Sequence, residues 1–531
     1  MPSKHQVTYS LRKSWFQVDD CRFCSPLQKS FSSEEHSELK LLCSGNDWPK
    51  VAYWLEEKLG HFAFIWECGD RIVMIVDGLV CEPLYYFNEG PTLQIADDLR
   101  SYDLAADSIS DYIRAEIVIA GFVSGSETLV PNVKQLRAGK CYVFQNVSDE
   151  WKLEVQDHTT FLPDRYAQEE ISEEDCLKEC TKVFEEVVNR TLARIGSRQI
   201  AIPLSGGLDS RALALLFHQA GKKNVLCYTY GKEGNSESGV SKIIANSLGY
   251  QWEFIPYTQE GWKQWEQNPK TREWIKQGLR SRSSVPHIQD VLAIEELFRR
   301  GVIDDDAVFI PGHILGTLAG VWTFELEDFK EPEKCFQATV KHLIERIYPD
   351  EFVAEFFPDL DLERFYASIG EKFRGMWPDW SLATVNAYME SWINWGERQA
   401  KFNATSAQNY VERGFSYAMP WCEGSVIRFW EKVPHKFRLH RNLCRVWLEE
   451  RQGDLINVSP IQDSAMHKLR RVYRKRIPQR VRMIRHKINA RTDYTHDQYQ
   501  WNAVIPYKDY RRLHHGVLHL NNWLAYKYLD A

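Results

Sequence analysis

The spacing of hydrophobic residues changes near residue 170 and divides the chain into two parts. Before that point, short β-branched and aromatic runs are separated by Gly, Asp and Asn, which predicts sheet with tight turns. Polar residues with one proline follow, and they predict a linker at 158–170. The runs that predict strands are 61–67, 71–78 and 84–87, and a hairpin is predicted from 138–147 and 151–156.

After the linker the pattern is that of helices alternating with strands. Residues 173–195 repeat apolar positions at helical spacing, with acids at the start, where the helix dipole favours them. The alternation that follows predicts a parallel sheet covered by helices on both faces. The predicted strands are 199–204, 224–230, 252–256 and 307–311, and the predicted helices include 211–220 and 236–248. From about residue 321 the chain is mostly helical and rich in Trp.

Size and composition narrow the class of protein. The 531 residues favour two or three domains, and 44% hydrophobic content supports large cores. The net charge of −7 gives no general attraction to nucleic acid. We expect no membrane span, because no run of about 18 apolar residues exists. The N-terminus lacks the apolar segment of a signal peptide, and the scattered cysteines favour a reduced, cytoplasmic setting.

One short loop carries the strongest chemical signal. Ser205-Gly206-Gly207-Leu208-Asp209-Ser210 follows a predicted strand and precedes a predicted helix, where unpaired N–H groups favour an anion. The glycines allow close approach of backbone to a phosphate, and the two serines add hydroxyl donors. Asp209 would repel phosphate unless a hard cation such as Mg²⁺ lies between them. The alternative is an ordinary polar turn between a buried strand and a buried helix.

The sequence S-G-G-x-D-S is the motif of the pyrophosphate-loop ATP pyrophosphatases, and with it the chain resembles the asparagine synthetase family. The resemblance also rests on "GHFAFIWECGDRIVMIVDGLVCEPLYYF", on "YTYGKEGNSESGVSKIIANSLGYQWEFIPY" and on the late stretch from "ERQAKFNATS" to "VPHKFRLHR". It implies an α/β synthetase domain of the adenine-nucleotide α-hydrolase-like type at 166–531, with a helical extension. It also implies an α+β amidotransferase-like domain, similar to N-terminal-nucleophile hydrolases, at 1–165.

The resemblance implies an ATP-dependent ligase that forms C–N bonds. Such an enzyme activates a carboxylate as an acyl-adenylate, releases pyrophosphate and passes the acyl group to ammonia or an amine. The implied cofactors are ATP and Mg²⁺, with Asp209 as metal ligand and Lys468 or Lys475 as the late lysine that balances charge. The residues expected to bind nucleotide are Leu204, Ser205, Gly206, Gly207, Leu208, Asp209, Ser210, Tyr230, Gly312 and His313.

Two departures from the family pattern limit what the resemblance implies. The family members that hydrolyse glutamine use a cysteine next to the initiator Met, whereas Pro2 stands here, and Cys21 and Cys24 lie too far downstream to replace it. Glutamine hydrolysis is therefore not expected. In the later loop, 309–320, Gly316 stands where the family has a metal-binding Asp, and Thr317 is the nearest side-chain oxygen.

Substrate and partners remain open from the sequence. The implied partners are a small-molecule or glycan carboxylate, such as a surface-polysaccharide sugar acid, and ammonia or an amine donor, without nucleic acid. A homodimer is compatible with the sequence, which does not determine the oligomeric state. Two alternatives stay open: a synthetase that closes a peptide or lactam with an internal amine, as lasso-peptide cyclases and β-lactam synthetases do, and a catalytically impaired binding protein, because of Gly316.

Other charged residues have two interpretations each. Glu237 either contacts the nucleotide or complements a helix N-terminus. Glu397, Arg398 and Lys401 fall on one helix face, where mutual ion pairing is favoured over a role in the site. The basic stretch 467–491 is interpreted as a solvated helix that closes over an anionic cleft rather than as a nucleic-acid or membrane surface.

Overall fold

The computed structural model describes most of the chain. The described residues are 6–27, 30–102, 109–163, 165, 171–323, 326–377, 379–458, 490–513 and 520–529. Lys468 and Lys475, and most of the basic stretch 467–491, lie outside them.

Two sheets organise the N-terminal part. A six-stranded antiparallel sheet has the order β10-β9-β5-β4-β3-β2, and a four-stranded sheet has the order β1-β7-β6-β8, in which β1 and β7 are parallel. The strands are β1 (Gln6–Ser10), β2 (Phe16–Val18), β3 (Cys21–Cys24), β4 (Ala63–Cys68), β5 (Arg71–Val76), β6 (Tyr85–Glu89), β7 (Thr92–Ala96), β8 (Lys134–Gln135), β9 (Lys140–Val147) and β10 (Glu150–Asp157).

The predicted hairpin is confirmed, because β9 pairs with β10 antiparallel with Asn146 opposite Trp151. The β-rich pattern of residues 1–160 missed three helices: α1 (Ser33–Ser44), α2 (Trp48–Leu59) and α3 (Asp111–Ala120). Helix α2 packs its apolar face against the six-stranded sheet, where Trp48 and Leu55 are fully buried. An amphipathic helix therefore covers one sheet face, as in an α+β layer arrangement.

The second part is built on a five-stranded parallel sheet with the order β13-β12-β11-β14-β15. Its strands are β11 (Ile200–Pro203), β12 (Val225–Gly231), β13 (Gln251–Pro256), β14 (Val308–Phe309) and β15 (Ser416–Tyr417). The helices up to β14 are α4 (Glu173–Ile195), α5 (Leu208–Gln219), α6 (Ser236–Ser247), α7 (Gln259–Gln267), α8 (Pro269–Ser281) and α9 (Val291–Arg299). This is the parallel α/β arrangement that the alternating pattern predicts.

The remaining helices form the extension, as predicted from about residue 321. They are α10 (Pro332–Ile347), α11 (Asp350–Phe356), α12 (Leu362–Arg374), α13 (Val385–Ser391), α14 (Gln408–Val411), α15 (Gly424–Lys432), α16 (His435–Arg438), α17 (Asn442–Gln452), α18 (Tyr507–Leu513) and α19 (Leu520–Tyr528). In the described part of the chain, none of these or the earlier helices combines the length and apolarity needed to cross a bilayer.

Helix α4 begins and ends where its sequence signals place it. The Ser172 side chain accepts the Asp175 N–H at 3.1 Å, and acids fill the first turn. Gly196 ends the helix with φ of 65°, a conformation that favours glycine.

The predicted linker is packed rather than solvated where it is described. His158 and Thr159 are buried, and a His158 ring nitrogen lies 2.9 Å from the Val76 carbonyl oxygen. Glu431 of α15 accepts hydrogen bonds from the Thr160 hydroxyl and the Leu162 N–H, both at 2.8 Å. The polar composition that predicted a linker therefore reflects buried hydrogen bonds between the two parts of the chain. The division at residues 165 and 166 stays a prediction.

Candidate functional site

The Ser-Gly loop lies at the carboxyl edge of the parallel sheet, between β11 and α5. The Leu204 N–H donates to the Tyr228 carbonyl at 2.8 Å, so the loop leaves the sheet from the centre of its edge. Ligands of open α/β sheets bind at this edge, where strands end and helices begin.

Hydroxyl groups hold the loop in its bent form. Ser210 Oγ accepts the Ser205 N–H at 3.2 Å, and Ser205 Oγ accepts the Gly207 N–H at 3.1 Å. Arg211, which is buried, donates to the Gly206 carbonyl at 2.8 Å and fixes the other side of the loop. The two serines therefore shape the loop in this structure, in addition to the donor role expected from sequence.

Helix α5 begins three residues earlier than its apolar pattern predicts. Gly207 is the N-cap and makes no side-chain cap, so Leu208, Asp209 and Ser210 form the first turn. The N–H groups of a first turn have no partner within the helix, and together with the helix dipole they favour an anion. The start of α5 therefore lines the cavity in an orientation that would favour an anion.

The cavity beside the loop has a volume of about 350 Å³. Nine of the ten residues predicted to bind nucleotide line it: Leu204, Ser205, Gly207, Leu208, Asp209, Ser210, Tyr230, Gly312 and His313. Gly206 is not among its lining residues, and a Cβ added there would lie 3.4 Å from the Val240 side chain. Glu237, at the start of α6, also lines the cavity, and burial raises its pKa.

Gly312 allows the later loop to approach helix α5. A Cβ at residue 312 would lie 2.6 Å from the Ser210 nitrogen and 2.7 Å from its Cα, so a larger residue would push the two loops apart. His313 follows, and burial lowers its pKa to about 4, with His287 adding to the shift. The His313 imidazole is therefore neutral at physiological pH.

Asp209 is half-buried, and desolvation raises its pKa to about 6. Its Oδ2 accepts the Gly316 N–H at 2.9 Å, which lowers the pKa again in part, as does Arg441. A Cβ at residue 316 would lie 2.9 Å from Asp209 Oδ1, so a side chain at this position would point at the carboxylate. The residue that sequence analysis singled out as a lost metal ligand thus does lie opposite Asp209. Thr317, the nearest oxygen in sequence, donates its hydroxyl to the Ile314 carbonyl at 2.7 Å.

Asp209 and the loop around it fit a cation held by one carboxylate together with phosphate oxygens. Mg²⁺ in proteins is usually held by one or two carboxylates plus phosphate oxygens, and this site offers one. These residues do not fit a centre with two carboxylates at this point. Asp304, Asp305 and Asp306 precede β14 and lie at the opposite edge of the sheet, where they cannot replace the missing carboxylate.

Sequence analysis missed several residues of the cavity wall. They come from segments far apart in the chain, and only the fold brings them together: His287, Gln289, Asp290, Tyr410, Arg441 and Tyr499. The Tyr410 hydroxyl donates to Asp290 Oδ2 at 2.6 Å, and burial raises the pKa of Asp290. Tyr230 stacks on Tyr257 with ring centres 5.2 Å apart, and Tyr499 lies against it.

Glu397 and Lys401 do not line this cavity. They form the predicted ion pair, with 3.0 Å between Lys401 Nζ and Glu397 Oε2, and both are buried. The Arg398 guanidinium instead lies over the Phe402 ring. The pair belongs to the contact between the two parts of the chain.

One other described cluster combines metal-ligating residue types: His61, Asp77 and Cys81, all buried. His61 Nε2 accepts the Met419 N–H at 2.9 Å, so the proton of the neutral ring is on Nδ1. Asp77 accepts backbone N–H groups of Phe62, Leu79 and Cys81. These contacts are those of a structural cluster that holds a turn.

Comparison with known proteins identifies the part of the chain that carries the loop. The asparagine synthase family model matches residues 179–294, which include β11, the Ser-Gly loop, Tyr230, Glu237 and Asp290. No curated protein matches the sequence. The residues of the later loop and of the helical extension that line the cavity lie beyond the match. Residues 179–294 are therefore similar to the asparagine synthase family, and this part of the chain has the α/β fold of a synthetase domain.

Proposed function

We propose that the chain is an ATP-dependent ligase that forms an amide through an acyl-adenylate. The observation that carries the proposal is the cavity at the carboxyl edge of the parallel sheet, where the start of α5 and nine predicted nucleotide-binding residues meet. The phosphates of ATP lie at the first turn of α5, and the adenosine lies toward Tyr230 and Tyr499.

The chemistry follows from the poor reactivity of a carboxylate. Its negative charge repels nucleophiles, and oxide is a bad leaving group. Attack of the carboxylate oxygen on the α-phosphorus of ATP forms a mixed anhydride and releases pyrophosphate. Ammonia or an amine then attacks the carbonyl carbon, and AMP leaves. The loop N–H groups stabilise charge on the phosphates during the first step.

Asp209 is the proposed Mg²⁺ ligand. The bound cation would neutralise part of the phosphate charge. Of the two predicted late lysines, Lys468 and Lys475, each stays a candidate for the charge-balancing role, outside the described residues.

The N-terminal part is proposed to be amidotransferase-like without glutamine hydrolysis. Cys21 and Cys24 lie on β3 and are buried, and burial raises the pKa of the Cys24 thiol. Neither has the exposed, thiolate-prone setting of a nucleophile. The amine therefore comes from ammonia or from the substrate itself. A sugar acid or another small carboxylate in the cytoplasm, and a homodimeric assembly, remain part of the proposal.

Pyrophosphate release in the presence of ATP, Mg²⁺ and a panel of acids tests this function. The panel holds aspartate, uronic acids and amino-substituted acids, each with and without ammonium chloride. We expect release with at least one acid, together with formation of AMP. ATP hydrolysis to ADP and phosphate, or no release with any acid, would contradict the proposal.

A second candidate function is a nucleotide-binding protein without ligase activity. Gly316 is the observation that favours it, because the second carboxylate of the family pattern is absent opposite Asp209. ATP binding by calorimetry without product formation across the panel would support this candidate over the ligase.

A further inference from the structure

Gly316 lies behind the cavity residue Asp209, to which its N–H donates, and the turn before α17 contributes Arg441 to the cavity wall. The loop that contains Gly316 continues into a single π-turn, Thr317–Val321, and Gly320 of this turn has φ of 107°. A Cβ at Gly320 would overlap the Arg438 carbonyl oxygen, so the two segments are in direct backbone contact. Through this contact, the position of Gly316 is coupled to that of the turn at 439–441, which directly follows Arg438.

The turn at 439–441 is held in an unusual conformation. His440 and Arg441 both adopt left-handed backbone, with φ of 61° and 60°, although neither is glycine. Arg438, just before them, is fully buried in an ion pair with Glu390 and donates to the Val433 carbonyl at 3.0 Å. Left-handed residues other than glycine persist only where surrounding contacts impose them, and they cluster at binding sites.

Arg441 directs a positive charge to the cavity. It is half-buried and lines the same cavity as Asp209 and the start of α5. Within the described residues, Arg441 makes neither a hydrogen bond nor an ion pair, whereas the next arginine, Arg445, pairs with Asn442 and Glu449. A half-buried guanidinium that has no hydrogen-bond or ion-pair partner in the described part of the chain, beside the start of a helix, is suited to a polyphosphate.

The local charge differs from that of a site with two carboxylates. Two carboxylates in contact repel each other, so they need a cation between them before they can accept phosphate nearby. Here the second carboxylate is replaced by Gly316, whose N–H donates to Asp209, and Arg441 supplies one positive charge. The protein itself thus provides part of the positive charge that a metal ion supplies in a site with two carboxylates.

We infer that Arg441 binds the nucleotide phosphates and takes over charge neutralisation from a tightly held metal, so that ATP binding needs little Mg²⁺. This inference rests on the proposed function, since it concerns the same cavity. It assigns a phosphate-binding role to a residue outside the family match and makes position 316 the determinant of metal dependence.

Calorimetric titration of the full-length chain with ATP, in excess Mg²⁺ or in EDTA, tests the inference. For the wild type we expect less than about a 10-fold change in Kd between the two buffers. Arg441→Gln should weaken ATP binding in EDTA about 10- to 100-fold, the usual range for a lost charge-assisted hydrogen bond. Arg441→Lys should retain part of the affinity because it keeps the charge. Arg445→Gln, in the first turn of α17 and outside the cavity, is the matched control and should bind as the wild type does.

Gly316→Asp provides the reverse test and does not remove the arginine. It places a second carboxylate against Asp209, so ATP binding should fall in EDTA and recover in Mg²⁺. Circular dichroism and the melting temperature show whether each variant is folded. Wild-type binding that disappears in EDTA, or Arg441→Gln binding equal to wild type in EDTA, would overturn the inference and leave the proposed function intact. No ATP binding in either buffer would overturn both.

Discussion

At the scale of single residues, Asp209 combines opposing influences. Burial raises its pKa to about 6, whereas the Gly316 N–H and Arg441 favour its charged form. At pH 7.5 the carboxylate is therefore mostly ionised, even though it is half-buried. A charged side chain at the first turn of α5 is suited to hold a cation against phosphate oxygens.

Asp209→Asn is expected to lower ATP turnover by at least about 100-fold, because the amide keeps the shape but loses the charge that stabilises the transition state. The amide oxygen can still accept the Gly316 N–H, so the fold should be retained. Pyrophosphate release and the melting temperature are the measurements. Asp304→Asn, an acid at the opposite edge of the same sheet, is the control and should keep wild-type turnover. Equal turnover in Asp209→Asn would exclude Asp209 as the ligand.

At the scale of elements, short segments rather than long helices position the site. The π-turn Thr317–Val321 contacts the turn before α17, and Gly312 allows the later loop to contact the start of α5. Each contact requires glycine, because a Cβ at Gly312 or Gly320 would overlap the backbone of the other segment. The positions of His313, Gly316 and Arg441 relative to Asp209 therefore depend on close backbone packing.

Gly320→Ala is expected to destabilise the protein by about 3 kcal/mol, because the residue is left-handed and its Cβ would overlap the Arg438 carbonyl. ATP binding should weaken as well, since the Arg441 turn would move. Gly239→Ala is the matched control: residue 239 lies in α6, and a methyl group added there would meet nothing within 4 Å. Alanine there should be neutral or stabilising by up to about 1 kcal/mol. Chemical unfolding measures the free energy of unfolding of both variants. A Gly320→Ala protein as stable as Gly239→Ala would contradict the packing argument.

At the scale of the whole molecule, buried charges join the N-terminal part to the helical extension. Glu397 accepts the Gly125 N–H at 3.0 Å, and Lys401 donates to the Val123 carbonyl at 2.6 Å and also to the Gly125 carbonyl. Arg137 Nη2 lies 3.5 Å from Glu397. The two parts are thus fixed by charge-assisted hydrogen bonds as well as by apolar packing.

Lys401→Met should cost about 3 kcal/mol, because it removes the nearer of the two cations beside the buried Glu397 and leaves two carbonyls without this donor. Lys178→Met is a matched control, since Lys178 and Glu174 also form a pair four residues apart on a helix, at 2.7 Å, but are exposed. Its removal should cost less than about 1 kcal/mol. Unfolding in guanidinium measures both, and similar costs would mean that the buried pair is not a structural link.

His158 makes the junction sensitive to acid. Burial lowers its pKa to about 4, below the value near 6.5 of an unfolded histidine, so the folded state binds the proton less well. The contribution of neutral His158 to the free energy of unfolding is therefore complete above pH 6.5. It is lost as the pH falls toward 4, because the unfolded state binds the proton more tightly. Between pH 7.5 and 5 the loss should be about 2 kcal/mol. Melting temperatures of wild type and His158→Gln across this range test the effect, which should be smaller in the variant. An equal pH dependence would contradict it.

The sequence by itself determined the local elements and the loop. The 3.6-residue period set α4, the alternation of strands and helices set the parallel sheet, and S-G-G-x-D-S marked the loop between β11 and α5, because these signals act over a few neighbouring residues. The first turn of α5, which begins within that motif, was not predicted. The substitution at Gly316 was also readable, since it interrupts a local motif.

Only the tertiary structure decided which distant residues share the cavity. Strand β15 joins the sheet from more than a hundred residues downstream of β14, and its two residues carry no pattern that predicts a partner. Arg441 and Asp290 reach the cavity through the same long-range packing. The buried Glu397–Lys401 pair could be predicted as an ion pair, but not as the link to the Val123–Gly125 loop. Contacts of this kind depend on which surfaces meet, and local spacing does not encode that.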